Sequence, residues 1–126
     1  MDIDIAAENE ELWQGVESDW LKAQLERTAQ ALYQVEKIDI RPCELSVVLA
    51  DDAHIRELNA SYRDKDKPTN ILSFPLQEGN EADIYAGPLG DLVLAYETCA
   101  SEAVEREVSI KEHLSHLLLH GILHLV

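Results

Sequence analysis

His120 and His124 stand one helical turn apart in a segment that is otherwise apolar or glycine from Leu117 to Val126. Spacing of i, i+4 places two imidazoles on one helix face, close enough to share a tetrahedral zinc ion. His113 and His116 fall on the same side, but one ion cannot take all four. Positions 116 and 124 are about 12 Å apart along a helix axis, against ligand bonds of about 2 Å. His120 and His124 occupy the more apolar half and are the candidate metal ligands. A helix that is apolar all round is expected to be buried, and a buried ring nitrogen without a partner costs about 1–3 kcal/mol. A metal or backbone carbonyls would satisfy these rings equally, and both readings stand at this point. A second group comprises Arg56, Arg63, Lys65 and Lys67, four of the ten Lys and Arg residues in twelve positions. A guanidinium fork matches phosphate oxygens bidentately, which makes Arg63 the candidate for phosphate contact and transition-state stabilisation. Glu57, Asp64 and Asp66 interleave with these cations, a pattern that also describes a solvated loop.

The elements that must position these residues can be read from periodicity. Ile3 and Ile5 alternate with Asp2 and Asp4 like a short strand. Residues 1–19 carry seven carboxylates and no Lys or Arg, and are expected to be largely solvated. Ser18-Asp19 starts a helix whose apolar face, from Trp20 through Val35, runs to about residue 36. Cys43–Ala50 is a β-rich, buried run. Asp51 or Asp52 caps a second helix through Ile55, Leu58 and Tyr62. Residues 63–68 form a polar loop, and 70–74 form a strand stopped by Pro75, which suits a strand end or an edge. Residues 77–88, with Gly79, Asn80, Gly87 and Pro88, read as a flexible excursion. Residues 90–95 make a fourth strand, a helix follows over about 97–107, and Ser109 with Glu112 forms a capping box for the last helix. The order β-α-β-α-β-β-α-α predicts an α+β fold: one small mixed four-stranded sheet packed with helices, in a single domain over residues 1–126.

The composition excludes several classes. Of 126 residues, 46% are hydrophobic and 28% charged, the balance of a globular chain. Twenty-five Asp and Glu against ten Lys and Arg give a net charge of −15, which opposes a general coat for nucleic acid but permits a local basic site. No apolar run approaches the roughly 20 residues of a membrane span, and the acidic start is unlike a signal peptide. Cys43 and Cys99 are the only cysteines, so two buried thiols in a reducing cytoplasm are expected rather than a disulfide scaffold.

Three blocks of the sequence resemble the YbeY family of bacterial zinc-dependent endoribonucleases. His120-Gly121-Ile122-Leu123-His124-Leu125 is similar to the start of the family signature H-G-x-L-H-L-x-G-Y-D-H. Tyr62-Arg63 and Lys67–Pro75 (KPTNILSFP) resemble YR…PT(D/N)VLSFP, and Leu89-Gly90-Asp91-Leu92 resembles LGD(I/L). The likeness covers residues 45–126 well, while residues 1–40 agree only in length and helix pattern. One departure concerns the third histidine, which in the family follows the second by six residues. This chain ends two residues after His124. The resemblance therefore implies a C-terminally truncated family domain and an incomplete metal site, since zinc sites normally use three or four protein ligands.

The resemblance implies a metal-dependent endoribonuclease acting on single-stranded RNA, in 3′-end maturation of small-subunit ribosomal RNA and ribosome quality control, with small-subunit proteins as possible partners. It implies one Zn²⁺ on His120 and His124, which would lower the pKa of bound water and polarise a phosphoryl oxygen. It also implies Arg63 as the catalytic arginine, with Lys65, Lys67 and Ser73 beside it in substrate binding. Thr69, Asn70 and Ser73 could orient Arg63 or contact RNA, Asp91 could support a histidine ligand from outside, and His116 could carry a proton. Turn, strand and capping roles are open to the same residues. Two other functions compete. One is a non-catalytic ribosome-assembly module with structural zinc or none. The other is a zinc peptidase, which lacks its base because the Glu of H-E-x-x-H is Gly121 here.

Overall fold

The computed structural model describes residues 1–77 and 85–126. Its elements are β1 (Asp2–Ala7), α1 (Ser18–Ala31), β2 (Cys43–Ala50), α2 (Asp52–Arg63), β3 (Ile71–Pro75), β4 (Gly87–Ala95), α3 (Tyr96–Glu105) and α4 (Ile110–Leu125). This is an α+β fold with a mixed sheet in the order β1-β2-β4-β3. β1, β2 and β4 are parallel, and β3 runs antiparallel to β4 at the edge. Pro75 therefore lies on an edge strand, where its missing N–H is tolerated.

Alternation along the strands divides the core between two faces. Cys43, Leu45, Val47 and Leu49 of β2 and Leu92 and Leu94 of β4 pack with Leu21 and Leu25 of α1 and Leu114, Leu118 and Ile122 of α4. Ala50, Leu72, Val93 and Ala95 turn the other way, onto Ile55 and Leu58 of α2. Both thiols are buried and free, and burial pushes Cys99 up to about 12. The acidic N-terminal segment is largely solvated, as expected, with two exceptions. Trp13 and Val16 are buried, and Trp13 Nε1 donates to the Ala50 carbonyl at 3.0 Å while its ring meets Tyr96 edge-on. The first helix does reach residue 36, but its last turn, Leu32–Glu36, widens to π geometry and stops at Lys37 in the left-handed conformation.

Local capping orients the helices. Asp51 caps α2, accepting from His54 N at 2.8 Å. Asp52 is thereby free to accept from Thr98 N and Oγ1 at the start of α3, which ties two helix N-termini together. Ser109 caps α4 through Glu112 N, as the capping box predicts. The Gly87-Pro88 pair expected in an excursion belongs instead to β4. A register slip between Glu44 and Leu45 takes Pro88 opposite Glu44 and Gly90 opposite Leu45, so the ladder absorbs the proline at a bulge. The rest of that expected excursion, residues 78–84 with Gly79 and Asn80, lies outside the described residues.

Gly90 is where β4 and the end of β3 come closest. A Cβ there would stand 2.6 Å from the Phe74 carbonyl oxygen and 2.7 Å from Leu125 Cδ2. Because the first contact is backbone, Gly90→Ala is expected to cost about 1–3 kcal/mol by overpacking. Chemical denaturation measures this, and an unchanged midpoint would show that the two strands part here without cost.

Candidate functional site

α4 packs one stripe against the sheet and leaves the other open, contrary to the expectation of a helix buried all round. Leu119 and Leu123 remain 41% and 45% exposed, and His116, His120 and His124 are exposed as well. The stripe that does pack holds Leu114, Leu118, Gly121, Ile122 and Leu125. Turned outward from it, His116, His120 and His124 line one wall of a groove of about 840 Å³. β3 forms the floor, and Tyr62 and Arg63 at the end of α2 form the opposite wall. The two candidate ligands are thus not core histidines bonded to main-chain oxygens. Among the described residues, neither ring has a protein hydrogen-bond partner.

Arg63 is the last residue of α2 rather than part of the polar loop that follows. The turn after it is fixed by Asp64 in the left-handed conformation, Lys65 N donating to Asn59 O, and the buried Asn59 amide donating to Lys67 O at 2.9 Å. This fold-back has two consequences for the expected basic patch. Arg56 is neutralised by Asp66 at 2.8 Å, and Lys65 and Lys67 are not among the groove-lining residues. The groove takes its second guanidinium from Arg106, at the end of α3, which sequence reasoning missed. Among the described residues neither Arg63 nor Arg106 has a carboxylate within ion-pair distance, whereas Arg41, Arg56 and Lys111 each have one. Among the described residues no Asp or Glu lines the groove, although 25 of 126 residues are acidic.

Behind the wall lies a buried polar network. His113 is 2% exposed, and its Nε2 meets Glu102 Oε1 at 2.8 Å. The same oxygen accepts from Asn70 Nδ2 at 2.9 Å. Asn70 Oδ1 accepts from Ile71 N, and its carbonyl accepts from Ala95 N. Asn70 therefore anchors the start of β3 to α3 and α4 rather than orienting Arg63. Burial alone would push the Glu102 carboxyl up. The hydrogen bonds from His113 and Asn70, with the charges of His113 and Arg106, outweigh that and hold it below its ordinary value. His113 Nδ1 is buried without a partner. Glu102 carried no sequence signal, since a carboxylate inside a helix reads as solvated surface until α4 is laid beside it.

Ser73 and Thr69 reach the groove, with Ser73 Oγ donating to the Gly121 carbonyl at 3.3 Å. Asp91 does not. Its neighbour Leu92 faces Gly121, so alternation turns Asp91 to the opposite sheet face, beside Asp2, Asp4 and Glu44. It cannot support a histidine ligand there. As a zinc site, His120 and His124 provide two imidazoles on one helix face. Among the described residues no group of three His, Cys, Asp or Glu side chains is arranged to hold a metal ion. Two donors fall short of a zinc site, which normally takes three or four protein ligands.

The molecule is an α+β sandwich with a cationic, histidine-lined groove at a sheet edge. The family described as Endoribonuclease YbeY matches residues 4–126, and the chain belongs to that family. Similar relatives, each called Endoribonuclease YbeY, include one from Sinorhizobium fredii, 52% identical over 67% of this chain and 49% of its own length. Another, from Magnetococcus marinus, is 52% identical over 69% of this chain and 64% of its own. One from Rhodopseudomonas palustris is 43% identical over 88% of this chain and 62% of its own. The matched region thus spans about half to two thirds of these relatives. The solution structure of TM1509 from Thermotoga maritima superposes with a TM-score of 0.60 at 25% identity, over 98% of this chain and 71% of that one.

Removing the Glu102 carboxylate strands His113 and the Asn70 amide. Glu102→Ala is expected to cost about 1–3 kcal/mol, while Glu102→Gln, which keeps an acceptor oxygen, should cost less. A depressed carboxyl pKa contributes stability that is present above the ordinary value of 4.5 and is lost as pH falls through the folded value. Denaturation at a series of pH values should therefore show the gap between the unsubstituted chain and Glu102→Gln closing below about pH 4.5. A gap independent of pH would mean that the carboxylate's charge is not what the network uses.

Proposed function

We propose that the groove is the RNA site of a metal-dependent endoribonuclease that cleaves phosphodiester bonds in single-stranded RNA. The observation that carries this is electrostatic. A body of charge −15 repels a polyanion at long range, yet among the described residues this groove has two guanidiniums without an ion-pair partner, three exposed histidines and no carboxylate. Arg63 is placed to grip a phosphate with its fork and to meet the negative charge that grows on the phosphoryl oxygens during cleavage. Membership of a family named for endoribonuclease activity supports the same reading. Within it, the cellular task is 3′-end maturation of small-subunit ribosomal RNA and ribosome quality control in the cytoplasm. The acidic remainder of the surface suits the basic tails of small-subunit proteins. No helix among the described residues is long and apolar enough to cross a membrane.

His120 and His124 are proposed as two ligands of one zinc ion, the third donor lying outside the described residues. A non-catalytic ribosome-assembly module with structural zinc or none is the second reading. A peptidase is not supported. Gly121 holds the position of the peptidase base and is packed against Ile71 and Leu92, and among the described residues no groove carboxylate replaces it.

With excess zinc present, the chain is expected to cleave a labelled single-stranded oligoribonucleotide and to spare its duplex. Arg63→Ala should lower kcat/KM by roughly 10²–10³-fold, with zinc uptake unchanged. Equal rates would remove Arg63 from the reaction, and RNA binding without cleavage at any zinc level would favour the assembly module.

Metal analysis after dialysis tests the ligand set separately. The 126-residue chain should retain less than one zinc per molecule, and His124→Ala should retain none. Tight stoichiometric zinc in the unsubstituted chain would show that another of its residues completes the site.

A further inference from the structure

Tyr62 is 70% exposed, yet its ring is held in place. It sits on the last turn of α2 next to Arg63, and it meets Phe74 of β3 edge-to-face, with centroids 5.3 Å apart at 68°. Both aromatic residues line the groove that holds Arg63 and the histidine row. Tyr33 provides the contrast. It is 39% exposed, and its ring already carries Arg41 at 3.8 Å and Lys37 at 5.9 Å. No cation of the described residues lies over Tyr62, so its free face is open to a planar ligand.

We infer that Tyr62, braced by Phe74, is the stacking platform for an unpaired nucleobase whose own backbone phosphate lies against Arg63. This rests on the RNA reading of the groove and adds a base-recognition element to it. Every base presents a π-face, so stacking binds without strong sequence preference. A base inside a duplex has both faces occupied by its neighbours, so a platform of this kind admits only bases that can be splayed out. The site's choice of single strands over duplexes then comes from an aromatic ring and not from the charges, which would attract either form. Bracing matters because a ring fixed by Phe74 loses little rotamer freedom on stacking. The hydroxyl has no part in this, so the ring alone should suffice.

The test uses binding, with no need for cleavage. A single-stranded oligoribonucleotide carrying one 2-aminopurine is titrated with the chain, beside the same oligomer with an abasic site at that position. Stacking on Tyr62 should quench the 2-aminopurine, and the abasic oligomer should bind roughly 5- to 100-fold more weakly. Tyr62→Phe should keep both the affinity and the quenching. Tyr62→Leu should lose the quenching and bind the two oligomers alike. The exposed position of Tyr62 leaves the core intact in both variants, which circular dichroism confirms. If the unsubstituted chain binds both oligomers equally tightly, the groove takes RNA through its backbone alone and the platform is refuted. If it binds neither, the RNA reading of the groove falls and takes the platform with it. Quenching that survives in Tyr62→Leu would place the stacked base elsewhere and overturn the assignment.

Discussion

Gly121 brings the backbone of α4 down onto the sheet edge. A methyl group there would stand 2.8 Å from Ile71 Cδ1, 2.9 Å from Leu92 Cδ2 and 3.4 Å from Ser73 Oγ. A glycine inside a helix costs about 1 kcal/mol relative to alanine, and this helix carries it at its point of contact with β3. The atoms in the way are ends of side chains, so an added methyl would be absorbed by a small shift of the helix, not by a rupture. Such a shift would move the histidines. His116, His120 and His124 follow one another at four-residue steps, about 6 Å of rise each, along a strand whose free edge is the groove floor. The Ser73 hydroxyl on the Gly121 carbonyl fixes the helix lengthwise. The distance between histidines and Arg63 thus depends on a contact that involves neither.

Charge gives the second constraint. With 25 acidic residues in 126, a groove that no carboxylate of the described residues lines has to be arranged. Several cations elsewhere are already spent on acids: Arg41 on Asp39, Arg56 on Asp66 and Lys111 on Glu17. Asp2, Asp4, Glu44 and Asp91 gather on the other sheet face. At physiological salt the screening length is about 8 Å, so acids beyond that distance scarcely oppose a phosphate already in contact with Arg63. The same acids would still repel a polyanion from the rest of the described surface. On the proposed reading, a polyanion would be discouraged from general adhesion and admitted at the groove.

The order and type of the elements were legible because each carried its own local signal. Alternation marks β1 and β-rich runs mark the other strands, Asp51 or Asp52 and Ser109 mark helix starts, and Pro75 marks a strand end on what proves to be the edge. The candidate site was legible only in part. Arg63, Ser73, His120 and His124 converge on one groove, but the reason first offered for the histidines, burial in an apolar rod, does not hold. Hydropathy counts Leu119 and Leu123 as core residues, whereas burial depends on what lies opposite, and nothing among the described residues covers that stripe. Lys65 and Lys67 were grouped with Arg63 by sequence distance, yet Asn59 folds their loop back onto α2. Arg106 belongs to the groove although 43 positions separate it from Arg63 in the chain. No periodicity within one segment encodes such a meeting, because it is set by how α3 and α2 pack across β4.

Glu102 joins these constraints. It is an acid set close behind the groove wall, where an uncompensated carboxylate would compete with a phosphate for Arg63 and Arg106. One of its oxygens is committed to both His113 and Asn70, and Arg106, one turn further along, adds positive charge nearby. The carboxylate is consumed as a structural acceptor, and its charge is met from within the protein. In return it ties α3, α4 and the start of β3 to a single atom, the three elements whose relative placement defines the groove. The network explains why a polar histidine can occupy the one buried position in a row whose other members are exposed. His113 points to the same side of α4 as the other three but is covered where α3 brings Glu102 against it, whereas His116, His120 and His124 are left exposed, and their ring nitrogens stay available.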